Sequence, residues 1–207
     1  MASSQAPAAN AASAPKAQAA YGQRAGLPRH LQNILSLHDF EAAARKHLPR
    51  PLFGYVSGAA EDCVSLQANR DSFQQYGFSS RVMVDVSKRN QKVELFGQTW
   101  DSPFGVAPVG ISAISAYRGD LVLAQTAAAN RIPAIMSGTS LIPMEEVAKA
   151  APSTWFQAYL PGDTTRIDGL IERIEAAGFG TLVITVDIPV WANRENNVRT
   201  GFSMPLR

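Results

Sequence analysis

The sequence is organised around residues 102–111, Ser102-Pro103-Phe104-Gly105-Val106-Ala107-Pro108-Val109-Gly110-Ile111. This apolar run predicts a strand that is buried on both faces, at the centre of a sheet covered on both sides. Proline cannot donate to a strand ladder and glycine lets a ligand approach the backbone, so Pro108 and Gly110 mark the end of the strand. A ligand pocket is therefore expected at the carboxyl end of this strand, whether the sheet is open and doubly wound or closed into a barrel.

A regular alternation of strands and helices follows. Strands are predicted near 104–107, 133–137, 155–160 and 181–187, with helices near 119–130, 143–150 and 164–177 between them. Asp163 can cap the last of these helices and Gly178 can end it in the left-handed conformation. The order βαβαβαβ predicts a parallel sheet with right-handed crossovers. No dinucleotide-type glycine fingerprint follows the first strand, which argues against a nicotinamide-binding Rossmann half.

Shorter elements are predicted upstream of the sheet. Ser36 stands three residues before Asp39, the spacing of a capping box, so a short helix is expected to start here and end before Pro49. A second helical stretch is expected around 66–73. The sequence around Phe96-Gly97-Gln98 predicts a small hairpin that caps one end of the main fold.

Composition places the chain among ordinary globular proteins. Its 207 residues are 46% hydrophobic and 17% charged, and the net charge of +2 is too small to indicate a nucleic-acid partner. Residues 1–35 are rich in Ala, Ser and Pro without apolar periodicity, which predicts a disordered tail before a folded domain over 36–207. The sequence offers no apolar stretch typical of a secretory signal or membrane span. The single cysteine, Cys63, cannot form an internal disulfide and suits a reducing cytoplasm.

Polar side chains stand at the carboxyl ends of the predicted strands, and these ends share one rim in a parallel sheet. Ser137, Gln157 and Thr185 offer neutral donors and acceptors that suit a heteroaromatic ring with amide and imide edges. Tyr159 and Arg194 add a phenol and a guanidinium, a pair suited to a carboxylate. Taken singly, Ser137 and Thr185 could also be turn residues at strand ends, and Arg194 a solvated loop charge.

Several motifs in series carry a resemblance to a known family. They are Tyr55-Val56-Ser57-Gly58-Ala59-Ala60-Glu61-Asp62, Ser65-Leu66-Gln67-Ala68-Asn69-Arg70, Ala107-Pro108-Val109-Gly110, Met144-Glu145-Glu146-Val147-Ala148, Trp155-Phe156-Gln157-Ala158-Tyr159 and Thr185-Val186-Asp187-Ile188-Pro189. In this order, from about Leu37 to Arg207, the chain resembles the FMN-dependent α-hydroxy-acid oxidases and dehydrogenases. That family includes glycolate oxidase, L-lactate oxidase, mandelate dehydrogenase and the flavin L-lactate dehydrogenases.

The resemblance implies an α/β fold, a (β/α)₈ TIM barrel. This chain would cover the N-terminal helices, a capping hairpin and about the first four β/α units. It also implies FMN at the carboxyl rim and oxidation of an L-2-hydroxy acid, L-lactate-like, to the 2-keto acid. By matching position, the backbone of Pro108, Val109 and Gly110 would line the flavin ring, and Ser137, Gln157 and Thr185 would hydrogen-bond its polar edge. Tyr55 and Arg194 would hold the substrate carboxylate or its surroundings, with Tyr159 near the reacting oxygen. Thr139 stands where some members carry a bulky aromatic residue.

The family's catalytic histidine, and the arginine that follows it, have no counterpart here. His30, His38 and His47 all precede the first barrel strand and match no catalytic motif. No catalytic residue is therefore expected in this chain, which is predicted to be a truncated or partial form of a longer enzyme and inactive alone. Its bare strand edges would make it prone to aggregate or dimerise.

Two alternatives stay open at this point. The chain could belong to another FMN barrel, such as the type 2 isopentenyl diphosphate isomerases, or act as a non-catalytic half-barrel partner. The electron acceptor could be oxygen, a quinone or a cytochrome. The full-length protein is expected to be a homo-oligomer in the cytoplasm, or peripheral at the inner membrane if it is a respiratory dehydrogenase. No metal-ligand cluster is evident in the sequence.

Overall fold

The computed structural model describes residues 26–160, 162–187 and 190–203. The chain divides into two compact units, Met1–Leu48 and Pro49–Arg207, and each is described by itself. Most of the tail predicted to be disordered, residues 1–25, lies outside the described residues.

The first unit contains a 3₁₀ turn, Arg29–Leu31, and helix α1, Asp39–His47. The predicted helix is confirmed, but it begins at Asp39, three residues after the predicted start at Ser36. Asp39 Oδ2 accepts hydrogen bonds from the backbone N–H groups of Leu35 and Ser36, both at 2.7 Å. These backbone donors lower the pKa of Asp39. The helix ends at His47, before Pro49 as predicted, and Leu48 is its C-cap.

The second unit holds the parallel sheet. Its helices are α2 (Arg50–Ser57), α3 (Val64–Asp71), α4 (Gly119–Ala129), α5 (Met144–Ala150), α6 (Thr164–Ala177) and α7 (Glu195–Thr200). Its strands are β1 (Val93–Leu95), β2 (Gln98–Trp100), β3 (Ile135–Ser137), β4 (Trp155–Ala158) and β5 (Leu182–Ile184). Short 3₁₀ turns occur at Ser72–Gln75 and Ser112–Ile114.

The order of the strands distinguishes between the two sheet architectures. β3 pairs with β4 and β4 with β5, all parallel, and Val106 forms a parallel bridge to Ala134 on the other side of β3. Each strand therefore lies beside its neighbour in sequence. A doubly wound sheet reverses its order at a switch point, whereas a β/α barrel adds strands in one direction, so this order is that of a barrel.

Helices α4, α5 and α6 cover one face of the sheet and form the core with it. Val147 is fully buried, and Phe156 and Ile174 are 3% and 4% exposed. The rings of Phe156 and Phe179 lie 5.2 Å apart. Helix α6 begins and ends as predicted, since Asp163 Oδ1 accepts from Thr165 N at 2.9 Å and Gly178 has a φ of 93°. Burial of each large side chain stabilises the unit by about 1.5–3 kcal/mol.

The prediction of a fully buried central strand at 102–111 is wrong. Val106 N donates to Pro133 O at 2.8 Å and Ile135 N donates to Val106 O at 3.0 Å, but no strand pairs with the other edge of this segment among the described residues. Phe104 is 63% exposed and Val109 47%. With a neighbour on one side only, the segment lies at the edge of the sheet, where Pro103 and Pro108 are tolerated.

The predicted hairpin is confirmed, with Gln98 in the strand rather than in the turn. Strands β1 and β2 are antiparallel, and the two turn residues Phe96 and Gly97 have φ values of 51° and 74°. Positive φ at both positions gives the turn the twist that two-residue hairpins favour. Trp100 of the hairpin meets Trp155, the first residue of β4, edge to face at 6.1 Å. The hairpin thus caps the amino ends of the strands and leaves the carboxyl ends open.

Candidate functional site

The first polar group of the site is a hydrogen-bonded set at the carboxyl ends of β3, β4 and β5. Gln157 is 1% exposed; its Oε1 accepts from Ser137 Oγ at 3.2 Å and from Gly138 N at 3.1 Å. Its Nε2 donates to Thr185 Oγ1 at 2.8 Å. The structure therefore brings Ser137, Gln157 and Thr185 together, as the strand-end argument predicted.

Thr139 extends this set toward the 102–111 segment. The hydroxyl oxygens of Ser137 and Thr139 lie 3.0 Å apart, and Ile111 N donates to Thr139 O at 3.2 Å. A Cβ built on Gly110 would lie 2.6 Å from Thr139 Oγ1, so a larger residue here would displace the Thr139 hydroxyl from the cluster. We call Ser137, Thr139, Gln157 and Thr185 the Gln157 cluster. It contains no ionisable side chain.

The second group forms where α2 meets α7. Arg194 Nη2 donates to the carbonyl oxygens of Tyr55 at 2.5 Å and Gly58 at 3.0 Å, and the guanidinium carbon lies 4.6 Å from the centre of the Tyr55 ring. The ring of Phe202 stacks on that of Tyr55, with centroids 4.3 Å apart and planes inclined by 16°. We call Tyr55, Arg194 and Phe202 the Tyr55 cluster. Arg194 and Phe202 thus both contact the ring of Tyr55 and fix its position.

Close packing of α2 on α7 supports the Tyr55 cluster. Asn196 Nδ2 donates to Gly54 O at 2.6 Å. A Cβ on Gly54 would lie 2.4 Å from Thr200 Oγ1, and one on Gly58 would lie 2.8 Å from Asn196 Nδ2. Sequence reasoning predicted neither helix. Gly54 in α2 and Gly58 directly after it, four residues apart, were the available signal, because close helix approach requires small residues at the contact.

A cavity of about 480 Å³ lies between Tyr55 and the end of the 102–111 segment, and Val109 and Gly110 line it too. Pro108 precedes these two residues and is half-buried. Tyr159 follows β4 and is 46% exposed, and its side chain makes no hydrogen bond to any other described residue. In the structure Arg194 therefore contacts Tyr55, and Val109 and Gly110 line the same cavity as Tyr55. The ligand-binding roles of all these residues stay predictions.

The chemistry of the rim fits a flavin ring. The Gln157 cluster offers hydroxyl and amide groups without charge, which match the neutral imide edge of a flavin and would suit a phosphate poorly. Val109 and Gly110 are exposed at the end of the 102–111 segment, and Gly110 lies against Thr139 of the cluster. The residues that would hold FMN are Pro108, Val109, Gly110, Ser137, Gln157 and Thr185.

Fold and site together define a cofactor-binding β/α-barrel protein. A sequence model of the FMN-dependent dehydrogenase family matches residues 44–207. The chain is 38% identical over 173 residues to an L-lactate dehydrogenase of Alcaligenes faecalis, covering 83% of this chain and 46% of that protein. It is 35% identical over 179 residues to a putative L-lactate dehydrogenase of Mycobacterium tuberculosis, covering 86% of this chain and 43% of that protein.

Solved structures agree with these relatives. Mandelate oxidase with benzoyl-formic acid superposes with a TM-score of 0.78 at 32% identity, over 83% of this chain and 51% of that one. The monotopic membrane protein (S)-mandelate dehydrogenase gives 0.79 at 31% identity, over 84% and 47%. The chain belongs to the FMN-dependent dehydrogenase family, and FMN is the cofactor of that family.

The family resemblance seen in the sequence is therefore confirmed, and the fold is part of a TIM barrel. The chain spans about half the length of the curated relatives it matches. Within the part of the chain that the structure describes, no helix has the length and apolar character needed to cross a bilayer.

Proposed function

We propose that the protein takes part in the FMN-dependent oxidation of an L-2-hydroxy acid to the 2-keto acid. The observation that carries this proposal is the Gln157 cluster, a buried and neutral hydrogen-bonding set at the carboxyl rim of a barrel sheet. It supports recognition of a flavin ring, and the similarity to L-lactate dehydrogenases and mandelate oxidases supports the substrate class.

The proposed roles of the chain's own residues follow from their chemistry. Ser137 and Thr185 hold the Gln157 amide in one orientation, and the Nε2 hydrogen that does not bond to Thr185 would be the donor to the flavin edge. When bound, FMN supplies the acceptor for the two electrons that leave the substrate. Tyr55 and Arg194 would hold the substrate carboxylate or its surroundings, and the exposed Tyr159 would lie near the reacting oxygen.

The proposed reaction also needs a general base to take a proton from the substrate. The three histidines, His30, His38 and His47, all precede the sheet in sequence. We propose that the base is supplied from outside these 207 residues, by a part of the barrel corresponding to the other half of the relatives. We also propose that the full-length protein is a homo-oligomer. Its location would be cytoplasmic or peripheral at a membrane, and its electron acceptor would be oxygen, a quinone or a cytochrome.

A chimera tests this function. Residues 36–207 would be joined to the C-terminal half of the Alcaligenes faecalis L-lactate dehydrogenase, and the flavin absorbance of the purified protein followed without oxygen. Addition of an L-2-hydroxy acid is expected to bleach the flavin band, whereas the D-enantiomer leaves it unchanged. The 207-residue chain with FMN is expected to show no bleaching. A folded, flavin-bound chimera that no L-2-hydroxy acid reduces would contradict the proposal.

A further inference from the structure

Asp120 is a buried carboxylate to which the proposed function gives no role. It is the second residue of α4 and is only 6% exposed. Burying a charged group costs free energy unless hydrogen bonds or nearby charge replace the lost water. The first turn of a helix replaces part of it, because backbone N–H groups there have no helical partner and favour an anion. The contacts of this carboxylate indicate what it does.

The surroundings of Asp120 leave no room for a ligand. The cavity that it lines with Val106, Ala107 and Val109 has a volume of about 10 Å³, roughly the space of one water molecule. Among the described residues, no three Asp, Glu, His or Cys side chains are grouped as a metal site would require. The carboxylate therefore acts on the protein itself.

Asp120 binds the loop between β3 and α5. Its Oδ2 accepts a hydrogen bond from Ser140 Oγ at 2.6 Å, and Ser140 Oγ accepts in turn from Ile142 N at 3.2 Å. Ser140 N also donates to Ser137 O at 3.0 Å. A hydroxyl has a single hydrogen, so the carboxylate fixes the rotation of this group and leaves its lone pair free for Ile142 N. The Asp120–Ser140 pair thus ties the loop to the start of α4.

The same loop carries part of the Gln157 cluster. Gly138 N donates to Gln157 Oε1 at 3.1 Å, and the hydroxyl oxygens of Ser137 and Thr139 lie 3.0 Å apart. These contacts involve the three residues directly before Ser140 in the chain. A shift of the loop at Ser140 would therefore move side chains and backbone donors of the cluster.

A strained residue depends on this loop as well. Ile111 is β-branched and 6% exposed, and its φ of 46° lies in the left-handed region that such side chains rarely adopt. Its N–H group donates to Thr139 O at 3.2 Å. Strain of this kind persists only where the surrounding structure fixes it. Loss of the Asp120–Ser140 bond would loosen the loop and, with it, the backbone around Gly110.

We propose that Asp120 is a positioning residue of the flavin site. Through Ser140 it fixes the loop after β3 and so holds the Gln157 cluster in place against the edge of the flavin ring. This inference rests on the proposed function and deepens it, because it adds a residue that acts on the cofactor site without contacting the ring. The role requires a hydrogen-bond acceptor at position 120 and does not require its charge.

Two flavin rings that differ at the imide edge test the proposal without turnover. The 207-residue chain and its variants would be titrated by fluorescence with lumiflavin and with 3-methyllumiflavin, in which a methyl group replaces the imide hydrogen. A cluster held in place should favour lumiflavin by about tenfold or more, because the methyl group removes a hydrogen bond and crowds the neighbouring side chains. The quantity compared is the ratio of the two dissociation constants.

Three variants and a control separate positioning from a general loss of stability. Asp120→Ala and Ser140→Ala each remove the bond between the two side chains and should reduce the ratio to about two- to threefold. Asp120→Asn keeps an oxygen that can accept from Ser140 and should retain the ratio of the parent. Asp168→Ala, at an exposed position of α6, is the control and should retain it too. A chain that is merely less stable would bind both flavins more weakly and leave the ratio unchanged.

The outcomes distinguish the inference from the proposed function. The expected result is a ratio that falls in Asp120→Ala and Ser140→Ala and is retained in Asp120→Asn. An unchanged ratio in Ser140→Ala, whose half-buried loop position lets the chain fold, would overturn the inference and leave the function standing. A ratio lost equally in Asp120→Asn, or a parent that binds both flavins equally, would do the same. A parent chain that binds neither flavin would overturn both.

Discussion

The Gln157 cluster and the Tyr55 cluster differ in what their hydrogen bonds join. In the Gln157 cluster, side chains at the ends of adjacent strands bond mainly to one another, from Ser137 through Gln157 to Thr185. In the Tyr55 cluster, Arg194 donates to backbone carbonyls of a helix 139 and 136 residues away in sequence. The Gln157 cluster therefore depends on the register of neighbouring strands in one sheet. The Tyr55 cluster depends on how α7 packs on α2.

This difference predicts how each cluster fails. Many backbone hydrogen bonds hold the register of parallel strands, so loss of one side chain leaves the backbone in place. The polar groups that bonded to that side chain are then left without a partner. A docked helix is held by the fit of small residues, so an added methyl group separates the two helices.

The largest effect is expected for Gln157→Leu. The substitution keeps the volume and removes the partners of Ser137 Oγ, Gly138 N and Thr185 Oγ1, at a site where Gln157 is 1% exposed. Ser137 Oγ keeps Thr139 as a partner and Thr185 is only part-buried, so Gly138 N is the one group left fully unsatisfied. An unsatisfied buried group costs about 1–3 kcal/mol, and with the partial loss at Thr185 the free energy of unfolding should fall by about 2–3 kcal/mol. Urea denaturation measures it. The exposed Gln125→Leu is the control, and an equal loss in both variants would refute the assigned role of the cluster.

A smaller loss is expected for Gly54→Ala in α2. The new Cβ would overlap Thr200, whose Oγ1 lies 2.4 Å from its position, while alanine itself favours the helix. Overpacking costs about 1–3 kcal/mol, so the net loss of stability should be about 1–2 kcal/mol.

Gly169→Ala in α6 is the matched control for Gly54→Ala. No atom lies within 4 Å of its added Cβ, and the change should stabilise the protein by about 0.5–1 kcal/mol. Thermal unfolding of the two variants should therefore shift in opposite directions. Shifts of the same sign would show that α2 does not pack on α7 as described.

The smallest effect is expected at the exposed ion pair of α5 and α6. Arg173 Nε and Nη2 donate to the two carboxylate oxygens of Glu145 at 2.7 and 3.1 Å, and this hydrogen bonding lowers the pKa of Glu145 below its ordinary value of 4.5. Because the pKa is lower in the folded state, the pair stabilises the fold above about pH 4.5, and the contribution is lost as pH falls through the lowered pKa.

Glu145→Gln tests this pH dependence. The variant should be slightly less stable than the parent at pH 7 in low salt, because both side chains are about half exposed and solvent screens the pair. The difference should shrink as the pH falls below about 4.5 and through the lowered pKa of Glu145, and it should also shrink in 1 M salt. A difference in stability that persists at acid pH would show that Glu145 acts by packing rather than by charge.

The sheet and the Gln157 cluster could be predicted because their signals are local. Asp163 and Gly178 mark the two ends of α6 in the sequence, and Ser137, Gln157 and Thr185 are polar residues near the carboxyl ends of apolar runs. Parallel strands share a carboxyl rim, so three local signals suffice to bring these side chains together.

The Tyr55 cluster and the burial of the 102–111 segment could not be predicted in the same way. Arg194 was expected at a carboxylate, but a sequence does not reveal that its guanidinium also binds the carbonyls of Tyr55 and Gly58. The apolar pattern of 102–111 predicts that the segment is buried, but it does not show which part of the protein packs against it. In the structure one edge of that segment pairs with β3, and Phe104 is exposed.

The central claim is that the strand ends of this chain recognise the flavin ring. The most direct measurement is a fluorescence titration of the 207-residue chain with FMN and, in parallel, with lumiflavin, which has the flavin ring without the ribityl phosphate. We expect saturable binding of both, with affinities within a few fold of each other, since the residues proposed to hold the cofactor would contact its ring. Failure of either flavin to bind, or binding of FMN alone, would contradict it.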